Sequence, residues 1–278
     1  MRHKTMMESN PVTPPAPYLG GKSRLAARVI KRLSGMRHEC YVEPFVGMGG
    51  IFLRRPWRSK VEVINDISRD VATLFRVLQR HYVPFMDMLR WQITSRAEFE
   101  RLCTQPPESL TDLERAARFL YVQRIAFGGK VTGRNFGVSP SAPARFDITK
   151  LGSILEEVHE RLAGVVIECL GFDRLIDAYD RPDTLFYLDP PYWGCETDYG
   201  EGVFSPADFE RLAERLARIR GTFLLSLNDT PEVREIFRAF HLDGVEVNYS
   251  VNGRQQGAAP ELLISSHGLG GEGLFAGI

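Results

Sequence analysis

The chain has 278 residues and a mass of 31.5 kDa, with 35 Lys and Arg against 35 Asp and Glu, 44% hydrophobic and 25% charged residues. This is an ordinary globular composition that excludes a disordered or fibrous chain and leaves volume for one large domain or two smaller ones. Zero net charge speaks against a general nucleic-acid binder, which carries a basic surplus, and no run reaches the roughly 18 apolar residues of a membrane span.

Residues 1–16 are proline-rich and poor in apolar residues, and read as a flexible arm with no secretory signal. Lys22 to Leu33 places Leu25, Val29 and Leu33 on one helical stripe. Tyr41 to Phe45 is a short strand running into the turn Val46-Gly47-Met48-Gly49-Gly50. Val61 to Ile64 is a second strand ending at Asn65-Asp66, and a helix carrying Val71, Leu74, Phe75 and Leu78 follows. Short helices are expected between Pro84 and Pro107, and a longer one from Asp112 to Phe127. The Gly-, Ser- and Pro-rich stretch from Gly128 to Arg145 reads as a surface hairpin and loop. Helical spacing returns from Ile148 to Leu162.

The last third alternates strands and helices. Val165 to Cys169 and Thr184 to Leu188 are strands, the second stopping at Asp189-Pro190-Pro191-Tyr192. Ser205-Pro206 opens a helix with proline in the first turn, where a missing N–H costs nothing. Thr222 to Leu227 is a strand, Pro231 to Phe240 a helix, and Val245 to Val251 alternates as a half-buried strand. This order predicts an open α/β sheet with helices on both faces and ligands at the carboxyl ends of the strands. A catalytic domain is expected from 17–80 and 160–266, with a mainly helical insertion at 81–159 and a mobile tail at 267–278.

The four cysteines, Cys40, Cys103, Cys169 and Cys195, show no CxxC pairing and no His partners at zinc spacing. They read as reduced thiols of a cytoplasmic protein, and no metal is expected.

Two familiar glycine motifs can be tested. Gly47 and Gly49 fit the first two positions of the dinucleotide fingerprint, but the third is Phe52. Gly21-Lys22-Ser23 fits the end of a phosphate loop, but its first glycine is replaced by Ala16. An ATPase or a dehydrogenase is disfavoured accordingly. What remains is a turn that lets a ligand approach the backbone closely. Asp66, after the next strand, suits ribose hydroxyls, with a helix N-terminal carboxylate as the alternative.

Asp189-Pro190-Pro191-Tyr192 carries the most chemistry. Two prolines fix the backbone and remove two donors. The Asp189 carboxylate and the Pro190 carbonyl are then free to accept both hydrogens of one exocyclic amine, beside the Tyr192 ring. A conjugated amine is a poor nucleophile, and two acceptors favour a pyramidal nitrogen with a freer lone pair. Positioning against a sulfonium methyl would supply much of the rest.

These motifs together resemble the Dam-type (D12 class) DNA adenine-N6 methyltransferases, from about Tyr18 to Ile264. Tyr18-Leu19-Gly20-Gly21-Lys22, Glu43-Pro44-Phe45-Val46-Gly47-Met48-Gly49, Asn65-Asp66-Ile67 and Asp189-Pro190-Pro191-Tyr192 stand in the family's order. The resemblance implies a Rossmann-like sheet with an inserted target-recognition domain, S-adenosylmethionine as cofactor and double-stranded DNA as partner. It places Tyr18, Gly21, Lys22, Glu43, Pro44, Phe45, Gly47, Gly49, Asp66, Phe172 and Asp189 at the cofactor. Asp189, Pro190, Pro191 and Tyr192 would hold a flipped base.

For DNA contacts the expected residues are Arg124, Lys130, Arg134, Asn135 and, beside the turn at Asn252-Gly253, Arg254. Between Arg118 and Lys150 there are six basic residues and one acid, a surplus suited to phosphates. Zero net charge would then average over a lopsided surface. Cytosine-N4 methylation and a non-catalytic DNA-binding relative are the alternatives. Asp189 favours adenine, and the intact motif favours catalysis.

Overall fold

The computed structural model describes residues 6–20, 22, 25–137, 143–200, 202–251 and 254–266, with the backbone alone for 247–251 and 254–259. Its first half contains β1 (Met7–Glu8), α1 (Ala26–Ser34), β2 (Cys40–Glu43), β3 (Trp57–Arg58), β4 (Val61–Asn65) and α2 (Arg69–Arg80). Four helices follow: α3 (Tyr82–Leu89), α4 (Arg96–Thr104), α5 (Asp112–Ile125) and α6 (Ile148–Arg161). The alternating part then runs through β5 (Val166–Glu168), α7 (Phe172–Tyr179), β6 (Thr184–Leu188), α8 (Pro206–Leu216) and β7 (Thr222–Asn228). It ends with α9 (Pro231–Ile236), β8 (His241–Val251) and β9 (Arg254–Ser265).

The main sheet has the order β5-β4-β2-β6-β7-β9-β8. The first five strands are parallel, and β9 pairs antiparallel with both β7 and β8. From β2 the chain builds outward through β4 and β5, then returns to the other side of β2 as β6. The strand order therefore reverses between β2 and β6, where the crevice at the strand ends forms a binding site. This is the expected Rossmann-like methyltransferase fold.

Successive strand residues serve opposite faces. Tyr41, Ile64, Leu185, Tyr187 and Leu224 join one apolar cluster, whereas Val42, Val63, Phe186, Leu188 and Leu225 join the other. The continuous apolar runs in these strands follow from burial on both sides. Helix α5 begins with a reciprocal cap between Thr111 and Glu114. Helix α8 begins with the same device between Ser205 and Asp208, with Pro206 in the first turn as expected.

The structure corrects several expectations. The stretch 6–16 is not a flexible arm: Met7 and Glu8 pair with β3, and Val12 and Ala16 are buried. Its prolines leave a run of carbonyls without neighbouring N–H donors, and the end of α5 supplies the donors. Arg124 Nη1 donates to Pro15 O (2.7 Å) and Gln123 Nε2 to Pro17 O (3.0 Å). The stretch after α5 forms no regular hairpin among its described residues, where one isolated bridge joins Ala126 to Phe136. Helix α9 stops at Ile236, and β8 starts at His241, four residues before the expected strand. The tail 267–278 lies outside the described residues.

Nor do α3–α6 have a core of their own. Phe85, Phe99, Leu120 and Leu151 share the cluster that contains Tyr41 and Ile64 of the sheet. A buried ion triad adds to this join. Glu62 on β4 accepts from Arg55 Nη2 (2.5 Å) and from Arg161 of α6 at Nη1 (2.6 Å) and Nη2 (3.0 Å). Burial pushes the Glu62 carboxyl up, but Arg55 and Arg161 outweigh it and hold the group below its ordinary range.

Candidate active site

A cleft of about 470 Å³ opens at the carboxyl ends of β2, β4 and β6. Each motif residue reaches it from a strand end. Glu43 closes β2, Asp66 follows β4 and Asp189 follows β6. Phe45, Gly47, Met48 and Gly50 from the turn after β2 line it, with Tyr18 and Lys22 across from them.

The turn is shaped by Asp66. Its Oδ2 accepts from the Gly47 N–H (2.9 Å) and its Oδ1 from the Ser68 N–H at the start of α2 (2.8 Å). Gly47 has φ +51°, and a Cβ there would lie 3.0 Å from the Tyr18 ring. A side chain at Gly47 would therefore strain the backbone and crowd Tyr18. Asp66 serves as the helix-terminal carboxylate and also lines the cleft. Burial raises it to about 6, against the two N–H groups. Neighbouring Asn65 points away from the cleft function: its amide bridges Pro44 O (2.8 Å) and Leu170 (3.0 Å to the carbonyl, 2.8 Å from the N–H).

Around Asp189 the charges are tightly packed. Lys22 Nζ lies 3.1 Å from Asp189 Oδ1 and 3.3 Å from Glu261 Oε2 of β9. It also donates to the Tyr192 hydroxyl and sits 4.0 Å from the centre of that ring. The Tyr192 hydroxyl donates to Glu261, and Ser226 Oγ of β7 donates to Asp189 Oδ1 (3.0 Å). Burial raises the Asp189 carboxyl, opposed by Lys22. Glu43 is fully buried, accepts from the Tyr41 hydroxyl, and is pushed up to about 8 by that burial. Just past the prolines, Trp193 exchanges two hydrogen bonds with the Asn228 side chain (2.9 and 3.0 Å), which fixes the loop to the end of β7.

Not every expected residue faces the cleft. Phe172 lies behind it, packing on Phe45 (5.9 Å) and Phe204 (6.0 Å), so it supports the wall and does not form it. Gly49 faces the core, where a Cβ would meet Leu53 at 2.8 Å. Pro44, Pro190 and Tyr192 do not line the cleft itself, although Pro191 does. Gly21 falls outside the described residues, as do the turn residues Asn252 and Gly253 and the side chain of Arg254.

Other residues join the cleft that the motifs did not mark. Pro14, Ala16 and Pro17 line it from the segment read as an arm, and Tyr199, Val203 and Phe204 from the stretch between β6 and α8. Tyr199 donates to Leu19 O (2.9 Å), holding the two stretches together. Ser226 and Glu261 did carry a signal. Ser226 stands inside the apolar run LLSL, and Glu261 directly precedes the apolar run LLI.

Of the expected DNA contacts, Lys130 and Asn135 are exposed. They flank Val131, which lines the cleft, and Thr132, which reaches Asp198 O (3.2 Å) in the stretch between β6 and α8. Arg124 and Arg134 do other work. Arg124 grips the carbonyls of Pro15 and Arg145, and Arg134 turns inward to Lys130 O (3.2 Å) and Gln123 Oε1 (3.3 Å).

The sequence was compared with known proteins. The model of the D12 class N6 adenine-specific DNA methyltransferases matches residues 18–251, most of the chain. The chain belongs to this family. A DNA adenine methylase from Vibrio cholerae is 26% identical over 266 residues, covering 88% of this chain and 93% of its own length. One from Haemophilus influenzae is 24% identical over 258 residues, covering 84% and 86%. The Type II methyltransferase M.CviBI of a Paramecium bursaria Chlorella virus is 22% identical over 202 residues, covering 72% and 77%. The chain is accordingly an adenine-specific, site-specific DNA methyltransferase.

Proposed function

We propose that this enzyme takes its methyl group from S-adenosylmethionine bound in the cleft and transfers it to N6 of an adenine flipped out of double-stranded DNA. The observation that carries the reading is the convergence of Asp66, the Gly47 turn and Asp189 on one crevice of about 470 Å³. That volume is within the range of small-molecule sites, roughly 300–1,000 Å³. The cofactor, when bound, supplies a methyl group on a sulfonium centre that nitrogen can attack, with a thioether as leaving group.

The residues present fit this ligand. Asp66 keeps a free lone pair on each oxygen for ribose hydroxyls, and the open Gly47 backbone admits the chain of the ligand. Glu43 is held near neutrality by burial, and a cationic amine beside it favours its ionised form. Phe45, Tyr18 and Phe204 give the cleft apolar walls.

For the target base, Asp189 and the Pro190 carbonyl accept the two N6 hydrogens and orient the nitrogen lone pair. Asp189, raised by burial, is also placed to take the proton that the nitrogen sheds. Lys22 and Ser226 keep the carboxylate in place, and Tyr192 offers its ring to the base. Lys130 and Asn135 at the rim face the DNA, Lys130 towards phosphates and Asn135 towards a base edge. No described helix is long and apolar enough to cross a membrane, and we place the enzyme with DNA in the cytoplasm.

Ligand binding tests the cofactor assignment. S-adenosylmethionine and its demethylated product should raise the melting temperature of the purified chain, whereas NAD and ATP should not. Stabilisation by ATP alone would reverse the reading.

A further inference from the structure

Two cations line the cleft among its described residues, Lys22 and Arg54. Lys22 is committed to Asp189, Glu261 and Tyr192. Arg54 is not. Its Nη1 donates to Gly50 O (2.6 Å), and no carboxylate among the described residues reaches its guanidinium. The protein's most buried arginines are treated differently. Arg55 and Arg161 share Glu62, and Arg115 and Arg118 meet Asp70. Arg54 is half-buried, and partial burial lowers its pKa without a compensating charge. A desolvated guanidinium that keeps open donors beside a ligand cleft is suited to an anion.

Its place in the chain says which anion. Arg54 lies just beyond the glycine turn, and its Nη1 is 3.6 Å from where a Cβ on Gly50 would stand. The Lys22 backbone nitrogen is 3.8 Å from the same point. Arg54 therefore lies where the turn after β2 meets the segment leading to Lys22. Asp66, assigned to ribose, lies instead at the end of β4. Asp66 is bonded to the Gly47 N–H (2.9 Å) at one end of that turn, and Arg54 to Gly50 O (2.6 Å) at its other end, so a ligand lying along the turn meets both.

We propose that Arg54 binds the α-carboxylate of the cofactor's methionine portion, by charge-assisted hydrogen bonds from the nitrogens left free by Gly50. This rests on the assignment of S-adenosylmethionine to the cleft. None of the four motifs includes Arg54, so this contact would be carried by this chain's own residue.

Decarboxylated S-adenosylmethionine, which lacks only the carboxylate, isolates the contact. Isothermal titration should show the unaltered protein binding S-adenosylmethionine roughly tenfold to a hundredfold more tightly than the decarboxylated form. Arg54→Gln should remove that preference by weakening S-adenosylmethionine alone. Arg54→Lys should keep part of it. Unchanged affinity for the decarboxylated form also shows that the variant is folded. Equal weakening of both ligands by Arg54→Gln, or no change in either, would overturn the assignment of Arg54. Failure of the unaltered protein to bind either ligand would instead overturn the cofactor reading beneath it.

Discussion

The cleft and the helical region α3–α6 use the same charged residue types in opposite ways. In the cleft, Glu43, Asp66 and Asp189 are acids held at strand ends, where burial raises their pKa values. In α3–α6, charged side chains hold the chain together. Arg118 donates to Leu102 O (2.7 Å), Arg124 grips Pro15, and Arg161 closes the triad on Glu62. Half of the basic surplus between Arg118 and Lys150, namely Arg118, Arg124 and Arg134, is therefore internal scaffolding, while a scattered set of acids gathers at one crevice. The difference lies in what the backbone leaves unpaired. Strand ends fan side chains into an open crevice, whereas helix ends and proline runs leave carbonyls that arginine satisfies.

The largest effect is expected at Glu62. Glu62→Ala strands two buried arginines and should cost about 3–5 kcal/mol of stability, measured by urea unfolding. Asp189→Ala tests the other side. It should lower turnover by roughly a hundredfold to a thousandfold, the scale for one lost transition-state contact, while cofactor binding stays measurable. Normal turnover in that variant would remove Asp189 from the chemistry.

Acid and base sharpen the same contrast with opposite signs. Burial raises Glu43 in the folded chain from 4.5 to about 8. The folded state keeps a proton that the unfolded chain loses over that window. The contribution is thus complete below pH 4.5 and is lost as pH rises to about 8. Asp66 behaves likewise between 3.8 and about 6. Glu62, held low by two arginines, contributes above its unfolded value and loses that contribution as pH falls. Glu43→Gln should therefore flatten the decline of unfolding free energy between pH 4.5 and about 8, and an unchanged slope there would contradict the burial of a protonated Glu43. The smallest effect belongs to the rim. Lys130→Ala should reduce the salt slope of DNA binding by about 0.9 per lost phosphate contact, with no change in stability. Arg134→Ala should do the reverse, lowering the melting temperature and leaving the slope alone.

The sheet was legible because its strands are apolar runs of strand length divided by helices of clear period. The motif residues were legible because parallel strands deliver their carboxyl ends to one edge. What misled was local. Proline content made 6–16 look loose, but no local pattern shows that Arg124 and Gln123, more than 100 residues away, supply its missing donors. The expected hairpin after α5 rested on Gly, Ser and Pro content, which marks a turn without fixing strand pairing. The direction of Phe172 and Gly49, into the core, depends on which side of the turn the neighbouring helices occupy. Glu261 and Ser226 were visible as polar residues beside or inside apolar runs, but only the order β6-β7-β9 shows that both converge near Asp189 and Lys22.

The central claim is that the crevice between β2 and β6 methylates adenine N6. The direct test incubates the purified enzyme with double-stranded DNA and S-adenosylmethionine carrying a labelled methyl group, then digests the DNA to nucleosides for mass spectrometry. The account predicts label in N6-methyladenine, reduced by roughly a hundredfold to a thousandfold with Asp189→Ala. Label in N4-methylcytosine, or none in DNA from a chain that binds the cofactor, would contradict it.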